Sequence, residues 1–361
     1  MQPISQIINQ DGTVKGNTSL GLSKVELLKI YRTMVLTRTL DTKMTSLQRQ
    51  GRIGFYLSSL GEEAISVGTS MAMDDKDWFF PAYREQGAAL IKGVTLTHII
   101  SHLMGNSDDE FKGRSLPGIF GSKKSRFIIP SAPVGTQIPH AVGTAFAAKL
   151  RGDKIATIVY FGDGATSSND FHSGLNFAGV YNTPTVFICK NNQYAISTHF
   201  SKQTGAESIA IKAQSYGFEG IRVDGNDVLA VYLATKDAAE KVRNGEGPVL
   251  IEALTYRLAP HSTSDDPTRY QNSDDRASWI KKDPISRFRV YLEKNDLWNT
   301  NDEQELQKTV EIEVNNAVKT SEKFNRPPLK TLIEDVYSEI PESLLDDFNN
   351  IKNNFSDNSS T

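Results

Sequence analysis

Cysteine is almost absent from this chain of 361 residues, which contains only Cys189. A single cysteine cannot form a disulfide within the chain, and this scarcity is typical of proteins from a reducing compartment. Because Cys189 lies inside an apolar run, its thiol is interpreted as an inert part of the core. The sequence therefore excludes an internal disulfide.

Long apolar runs and an excess of one charge are also lacking. No stretch is long enough to cross a membrane, and residues 1–13 lack the charged-then-apolar pattern of a signal peptide. The chain has 40 basic and 43 acidic residues, a net charge of −3 and a pI near 6.1. This balance argues against nucleic acid or an anionic membrane as the main partner. We therefore expect a cytosolic protein that binds neither.

The remaining composition, 38% hydrophobic and 23% charged residues, is ordinary for a soluble globular protein. Its most informative stretch is 154–196. Residues 155–161 form a short apolar run without polar alternation, as in a strand buried on both faces of a parallel sheet. This run ends at Gly162-Asp163-Gly164, and a second one, 185–190, ends at Asn191-Asn192.

A helix is predicted between these two strands. Ser167 is followed three residues later by an acid, as in a capping box, and Phe171, Leu175 and Ala178 recur at helical spacing. Strand, helix and strand make one βαβ unit. We therefore expect Asp163 and Asn192 to lie together at the carboxyl ends of neighbouring strands, where open α/β sheets bind ligands.

The residue types at these strand ends predict a metal-bridged diphosphate. A carboxylate, a side-chain amide oxygen and a nearby backbone carbonyl are hard donors that suit Mg²⁺ or Ca²⁺ better than zinc. Gly164 allows close backbone approach, and the N–H groups of Gly164 and Ala165 at the helix start would bind a phosphate. The alternative is a dinucleotide-binding turn. Against it, Ser167 replaces the third glycine of that motif, and the second strand ends in Lys-Asn-Asn instead of a ribose-binding acid.

The rest of the chain extends this unit into a larger α/β fold. We expect one doubly wound, mainly parallel sheet with an N-terminal helical lead-in and C-terminal helices. The predicted domains are an N-terminal polar arm (1–22), the ligand-binding α/β domain with flanking helices (23–325), and a C-terminal extension with a polar tail (326–361). Predicted helices are 23–50 with a Ser23/Glu26 capping box, 61–73, 85–92, 95–104, 135–149, 205–214, 226–243, 284–295 and 302–323; predicted strands are 220–223 and 248–255; predicted loops are 106–132 and 258–275.

The spacing of GDG, 26 residues and NN resembles the thiamine diphosphate motif. Further segments resemble the alpha subunit of the E1 component of 2-oxoacid dehydrogenase complexes, from about residue 23 to 345. They are AYREQG, TYRLAPHSTSDDPTRY and DPISRFRVYLEKNDLW. HSTSDD and DVYSEIPESL favour the branched-chain member, whereas DDPTRY is also similar to pyruvate dehydrogenase.

This resemblance implies roles for individual residues. The metal ligands would be Asp163, Asn192 and the carbonyl of Tyr194. His261 would be catalytic, and Phe55 and Tyr83 would contact the substrate. The implied cofactor-binding residues are Tyr83, Arg84, Ala132, Val134, Gly162, Gly164, Ala165, Lys190, Asn192, Ile196 and His261.

Several of these residues also have simpler interpretations. From composition alone Tyr83 and Arg84 are an ordinary surface pair, Phe55 is a core residue, and Lys190 is a solvated lysine. His261 lies in a polar loop, where a lone histidine is more often exposed. Ser262 and Ser264 match positions that are phosphorylated in some relatives. Ala132 stands where relatives often have serine, which leaves open a monovalent-ion site at Ser131, Thr136 and Gln137.

The resemblance also implies an activity and partners. Thiamine diphosphate and Mg²⁺ would support decarboxylation of a 2-oxo acid, with a branched-chain acid preferred over pyruvate, and transfer of the acyl group to a lipoyl-bearing E2 acyltransferase. An E1 beta subunit would supply a second α/β module, giving an α₂β₂ heterotetramer. The alternative from another class is a cofactor-binding subunit that only scaffolds or regulates.

Overall fold

The computed structural model describes residues 2–15 and 20–357. Its strands are β1 (Ile4–Ser5), β2 (Trp78–Phe80), β3 (Thr157–Gly162), β4 (Thr185–Asn191), β5 (Tyr194–Ala195), β6 (Thr198–His199), β7 (Glu219–Asp224) and β8 (Val249–Leu254). Six of them form one sheet in the order β1-β7-β8-β4-β3-β2, in which every pair is parallel. The other two, β5 and β6, form an antiparallel hairpin. The expected parallel sheet is confirmed.

Helices cover both faces of this sheet. They are α1 (Lys24–Arg49), α2 (Glu63–Met71), α3 (Gln86–Ile91), α4 (Leu96–Met104), α5 (Gln137–Arg151), α6 (Asn169–Tyr181), α7 (Val228–Arg243), α8 (Ser273–Ile280), α9 (Pro284–Lys294), α10 (Thr300–Ser321), α11 (Thr331–Glu334) and α12 (Glu342–Asp357). One face packs on α5 and α6, and the other packs on α1 to α4, α7, α9 and α10. No described helix is long and apolar enough to cross a lipid bilayer.

Strand β3 explains why its sequence lacks polar alternation. Ile158 and Tyr160 point into the larger cluster with α2 and α7, whereas Val159 and Phe161 point into the cluster with α5 and α6. Because helices cover both faces, every second residue is apolar on each side. The sheet is therefore doubly wound, as predicted.

Most predicted elements are confirmed within two residues at each end. The Ser23/Glu26 capping box is present at the start of α1. Two predictions need correction. Ser168, not Ser167, caps α6 by accepting from the backbone N–H of Phe171, because residues 163–167 first form a 3-10 helix. The helix predicted at 205–214 is instead a 3-10 helix, Ala210–Tyr216.

The predicted polar arm belongs to the sheet in its first part. Ile4 and Ser5 pair with β7, which adds an edge strand. The backbone N–H groups of Ile7 and Ile8, both buried, donate to Oδ2 of Asp227 at 2.7 and 2.6 Å. The other oxygen of Asp227 caps the start of α7. One buried carboxylate therefore joins the N-terminal segment to a helix start.

Six further strands and α-helices of the described chain were not predicted, among them the hairpin strands β5 and β6 and the short helix α11. The short strand β2 completes one edge of the sheet, α8 lies partly within the predicted loop 258–275, and α12 lies within the C-terminal extension. The last residues of the predicted polar tail, 358–361, lie outside the described part of the chain.

Candidate active site

The residues predicted to bind ligand meet at the carboxyl ends of β3 and β4, around a cavity of about 400 Å³. The predicted residues that line it are Phe55, Tyr83, Arg84, Ala132, Val134, Gly162, Asp163, Gly164, Ala165, Asn192, Tyr194, Ile196 and His261. A cavity of about 440 Å³ lies elsewhere, beside β7 and α7. Two of the charged side chains lining it, Glu219 and Lys241, pair with each other at 2.6 Å. The chemistry of the lining residues therefore favours the cavity at the ends of β3 and β4 as the functional site.

Asp163 supplies a buried negative charge at this cavity. It directly follows β3, is 1% exposed, and makes no salt bridge within the described residues. Gln203 donates a hydrogen bond to its Oδ2 at 2.5 Å. Burial raises the pKa of Asp163 to about 6. A buried carboxylate without a cationic partner is unfavourable in isolation, so this position is suited to a bound cation.

Asn192 is oriented by Glu62, at the start of α2. The Nδ2 group of Asn192 donates to Oε1 of Glu62 at 2.7 Å. A carboxylate can only accept, so the NH₂ end of the amide is fixed on Glu62 and the Oδ1 end is turned away from it. That oxygen accepts from the backbone N–H of Tyr194 at 3.3 Å. The amide oxygen that we predicted as a ligand therefore has a defined direction.

The backbone after Asn192 is held by Arg257, which is 1% exposed. Its Nη1 donates to the carbonyl oxygen of Tyr194 at 3.1 Å, and its Nη2 donates to that of Ile196 at 2.5 Å. Gln193 and Ile196 have positive φ values of 74° and 54°, so this segment turns sharply. Arg257 thus fixes the carbonyl group predicted as a metal ligand.

At another part of the cavity wall, Arg84 lies against His261. Its Nη2 donates to the carbonyl oxygen of His261 at 2.6 Å and to the ring Nδ1 at 3.3 Å, and its Nη1 contacts the carbonyl oxygen of Ser58. A guanidinium only donates, so Nδ1 is an acceptor and the ring proton is on Nε2. These contacts use three of its five N–H donors and leave two for an anion.

The environment keeps the imidazole of His261 neutral near pH 7. Burial, and then the positive charges of Arg84 and Arg257, lower the pKa of His261 to about 4. The backbone N–H of His261 donates to Oδ2 of Asp265 at 2.7 Å, and the same oxygen accepts from the hydroxyl of Tyr270 at 2.5 Å. The simpler interpretation, an exposed loop histidine, is therefore wrong, because His261 is half-buried; its predicted catalytic role stays a prediction.

Comparison with known proteins identifies the group to which this arrangement belongs. The family model described as "Dehydrogenase E1 component" matches residues 31–330. The chain belongs to the dehydrogenase E1 component family. The resemblance to E1 alpha subunits drawn from the sequence motifs is therefore confirmed.

Individual relatives of this E1 component have two kinds of name. The chain is 44% identical to "2-oxoisovalerate dehydrogenase subunit alpha, mitochondrial" of Caenorhabditis elegans, over 94% of this chain and 79% of that protein. It is 40% identical to "2-oxoisovalerate dehydrogenase subunit alpha 1, mitochondrial" of Arabidopsis thaliana, over 95% of this chain and 73% of that protein. It is also 40% identical to "Pyruvate dehydrogenase E1 component subunit alpha" of Staphylococcus aureus, over 95% of this chain and 91% of that protein.

E1 dehydrogenases use thiamine diphosphate, and the residues at the cavity of this E1 component fit that cofactor. Arg84 has donors to spare for a diphosphate, and Asp163 is a buried charge that needs a cation. No cluster of three or more His, Cys, Asp or Glu that could hold a metal occurs in the described residues. A metal at Asp163 would therefore need further oxygens of other kinds, from amide or carbonyl groups, the diphosphate or water.

One predicted cofactor-binding residue of this E1 component lies away from the cavity wall. Lys190 is 2% exposed, and its Nζ contacts Oε2 of Glu62 at 2.9 Å and Oε1 of Glu85. The interpretation of Lys190 as a solvated lysine is therefore wrong, whereas its role in cofactor binding stays a prediction. Glu85 also accepts from the backbone N–H groups of Ala82 and Arg84. Lys190 thus links the end of β4 to the segment that carries Arg84.

The residues considered for a monovalent-ion site of this E1 component lie beside the cavity. Ser131 and Thr136 contact each other through their hydroxyl groups, and Gln137 donates its amide to the carbonyl oxygen of Tyr160 at 2.8 Å. Both hydroxyl groups and the amide already have partners within the chain. An ion site at these residues stays a prediction.

Two glycines of this E1 component provide a matched test of the cavity. A Cβ atom on Gly164 would lie 2.6 Å from the Cβ of Ala195, whereas a Cβ on Gly162 would meet nothing within 4 Å. We expect Gly164→Ala to displace β5 and to destabilise the fold by about 1–3 kcal/mol through overpacking. Gly162→Ala should keep the stability within about 1 kcal/mol but narrow the cavity. Urea unfolding measures the stability of both variants, and thiamine diphosphate titration measures their cofactor affinity. Equal stability losses in the two variants would contradict this prediction.

Proposed function

We propose that this chain is the alpha subunit of a thiamine diphosphate-dependent 2-oxoacid dehydrogenase that decarboxylates branched-chain 2-oxo acids and transfers the acyl group to a lipoyl-bearing E2 acyltransferase. The observation that carries the proposal is one cavity whose wall holds Asp163, with no salt bridge from the described residues, and Arg84 against His261, in a chain of the E1 family. Asp163 would hold a metal, and Arg84 would hold an anion.

The metal in this proposal is Mg²⁺. Asp163, the Oδ1 of Asn192 and the carbonyl oxygen of Tyr194 would hold it, together with diphosphate oxygens and water. These are hard oxygen donors, and Mg²⁺ is usually bound by one or two carboxylates plus phosphate oxygens. The Glu62 contact to Asn192 and the Arg257 contact to Tyr194 support the assignment, since both hold the donor groups in place.

Bound thiamine diphosphate supplies the chemistry that accepts the electrons left when CO₂ departs. The chain's own residues bind and orient around it. Arg84 neutralises diphosphate charge with the two donors that its other contacts leave free. His261 holds a proton at Nε2 and is neutral at pH 7, so it can donate a hydrogen bond to a substrate oxygen without adding a charge. Its fixed tautomer supports an orienting role.

The preference for a branched-chain acid rests on the wall of the cavity and on the relatives. Besides Phe55 and Tyr83, the wall includes the aliphatic side chains of Leu57, Leu116 and Ile119. Such a lining favours an isopropyl group over a methyl group, because buried apolar area stabilises binding. The names of the nematode and plant relatives support the same choice, whereas the staphylococcal relative makes pyruvate the alternative.

We also propose an E1 beta subunit as partner, in an α₂β₂ heterotetramer. The described residues contain one sheet able to form an α/β module, and that sheet already carries the proposed diphosphate site. Apolar side chains on the cavity wall are exposed: Leu116 by 48%, Val134 by 51% and Ile196 by 58%. Exposed apolar residues around a site support contact with another protein. The cytoplasm is the proposed location.

The test is CO₂ release from 3-methyl-2-oxobutanoate and from pyruvate, by the full chain with and without its beta partner, thiamine diphosphate and Mg²⁺. We expect little release without the partner. With it, kcat/KM should be at least about tenfold higher for 3-methyl-2-oxobutanoate, since one methylene in an apolar pocket changes specificity by about that factor. A preference for pyruvate would overturn the substrate assignment. No release with either acid in the complex would favour the scaffold or regulatory alternative, and full activity of the chain alone would contradict the partner proposal.

A further inference from the structure

Gln203 lies just beyond the hairpin of β5 and β6, at the end of the 3-10 helix Phe200–Lys202. Its backbone N–H donates to the carbonyl oxygen of Phe200 at 2.9 Å, and the N–H of Phe200 donates to the carbonyl oxygen of Gln193 at 2.8 Å. These bonds tie Gln203 to the segment that follows Asn192. The backbone of Gln203 is therefore fixed beside the proposed metal ligands.

The side-chain amide of Gln203 is fixed as well. Its Nε2 donates to Oδ2 of Asp163 at 2.5 Å and to the carbonyl oxygen of Thr198 at 2.9 Å. Both partners only accept, so both amide protons are used and the amide can have only one orientation. The Oε1 atom of Gln203 is buried and has no hydrogen-bond partner within the described residues.

Gln203 contacts Asp163 but is not among the residues that line the cavity. It occupies Oδ2, and no other side chain of the described residues donates to this carboxylate. Burial of Asp163 also limits its rotation. One lone pair of Oδ2 is therefore engaged by Gln203, which leaves Oδ1 as the oxygen that no described side chain contacts.

We propose that Gln203 is a positioning residue that makes Asp163 a one-oxygen ligand and so favours Mg²⁺ over Ca²⁺. Mg²⁺ requires near-ideal octahedral geometry at short distances, whereas Ca²⁺ takes more ligands and readily binds both oxygens of a carboxylate. A carboxylate with one oxygen engaged by an amide therefore suits Mg²⁺ better than Ca²⁺. This inference rests on the proposed function, in which Asp163 binds a divalent metal.

The test compares Mg²⁺ and Ca²⁺ affinities, measured by calorimetry with saturating thiamine diphosphate, for the full chain in complex with its beta partner. In Gln203→Met we expect Mg²⁺ affinity to fall about tenfold, as is typical when a group behind a metal ligand is removed. Ca²⁺ affinity should fall less or rise. The ratio of the two affinities is the readout, because a merely structural role would weaken both ions equally.

Two further variants make the result decisive. Gln214→Met is the matched control, since Gln214 is exposed on the 3-10 helix Ala210–Tyr216, and it should leave the ratio unchanged. Gln203→Asn keeps the amide but shortens it by one methylene, so it should shift the ratio even if Gln203→Met fails to fold. Equal losses for both ions, or an unchanged ratio in the folded variants, would overturn this inference. Failure of the unaltered complex to bind either ion would instead contradict the proposed function.

Discussion

Asp163→Ala is expected to remove measurable Mg²⁺ binding and to weaken thiamine diphosphate binding by more than about 100-fold. Among the described residues that line the cavity, Asp163 carries the one carboxylate, so none of the other lining side chains can replace its charge. Even the substitution of a residue that only contacts a metal ligand typically lowers metal affinity by about 10- to 100-fold. Calorimetric titration of metal and cofactor into the variant measures the effect. Cofactor affinity within a few fold of the parent chain would refute the ligand assignment.

The fold should tolerate this substitution. Burial raises the pKa of Asp163 from its ordinary value of 3.8 to about 6, so the unfolded chain releases the proton more readily. The carboxylate therefore lowers the stability of the metal-free protein as pH rises from about 4 to about 6, by up to about 3 kcal/mol. Without metal, Asp163→Ala should be at least as stable as the parent at pH 7. Asp153→Ala is the control, because Asp153 is an exposed carboxylate paired with Arg151. It should change neither the binding of metal and cofactor nor the stability of the fold.

Arg84→Met is expected to weaken thiamine diphosphate binding by about 100-fold or more. Hydrogen bonds to charged groups contribute about 1.5–3 kcal/mol each, and this guanidinium has two donors free for the diphosphate. The loss should also raise the pKa of His261 from about 4, because Arg84 is the nearest positive charge to its ring. Cofactor titration and an NMR titration of the imidazole give the two readouts. Arg151→Met, on an exposed side chain, is the matched control.

An unchanged His261 titration in a folded Arg84→Met variant would contradict the electrostatic argument, whereas unchanged cofactor affinity would contradict the anion-binding role. Arg84→Lys separates charge from geometry. A lysine keeps the charge but cannot make two parallel bonds, so an intermediate affinity is expected.

The central part of the site could be predicted because strand ends are visible in sequence. The apolar runs before Asp163 and before Asn192 stop abruptly, and the carboxyl ends of parallel strands meet at one edge of the sheet. The parallel register of β3 and β4 indeed brings these ends together. Short local signals, such as the capping box at Ser23, were similarly informative.

The groups behind the ligands could not be predicted, because long-range packing brings them there. Glu62 is 130 residues from Asn192 in sequence, and Gln203 is 40 residues from Asp163. Arg257 follows β8 without any spacing that marks it. The burial of Lys190 could not be predicted either, because it follows from the flanking of β4 by β3 and β8. The two-residue strand β1 is too short for any periodicity.

The position of β1 has a consequence for work with the purified chain. Asp227 uses one oxygen to cap α7 and the other to accept from Ile7 and Ile8, some 220 residues away. A protease that removed the first eight residues would take away both donors, and among the described residues it would leave that oxygen with Arg287 alone, at 3.6 Å. Damage at the amino terminus would therefore loosen a helix on the face opposite α5 and α6.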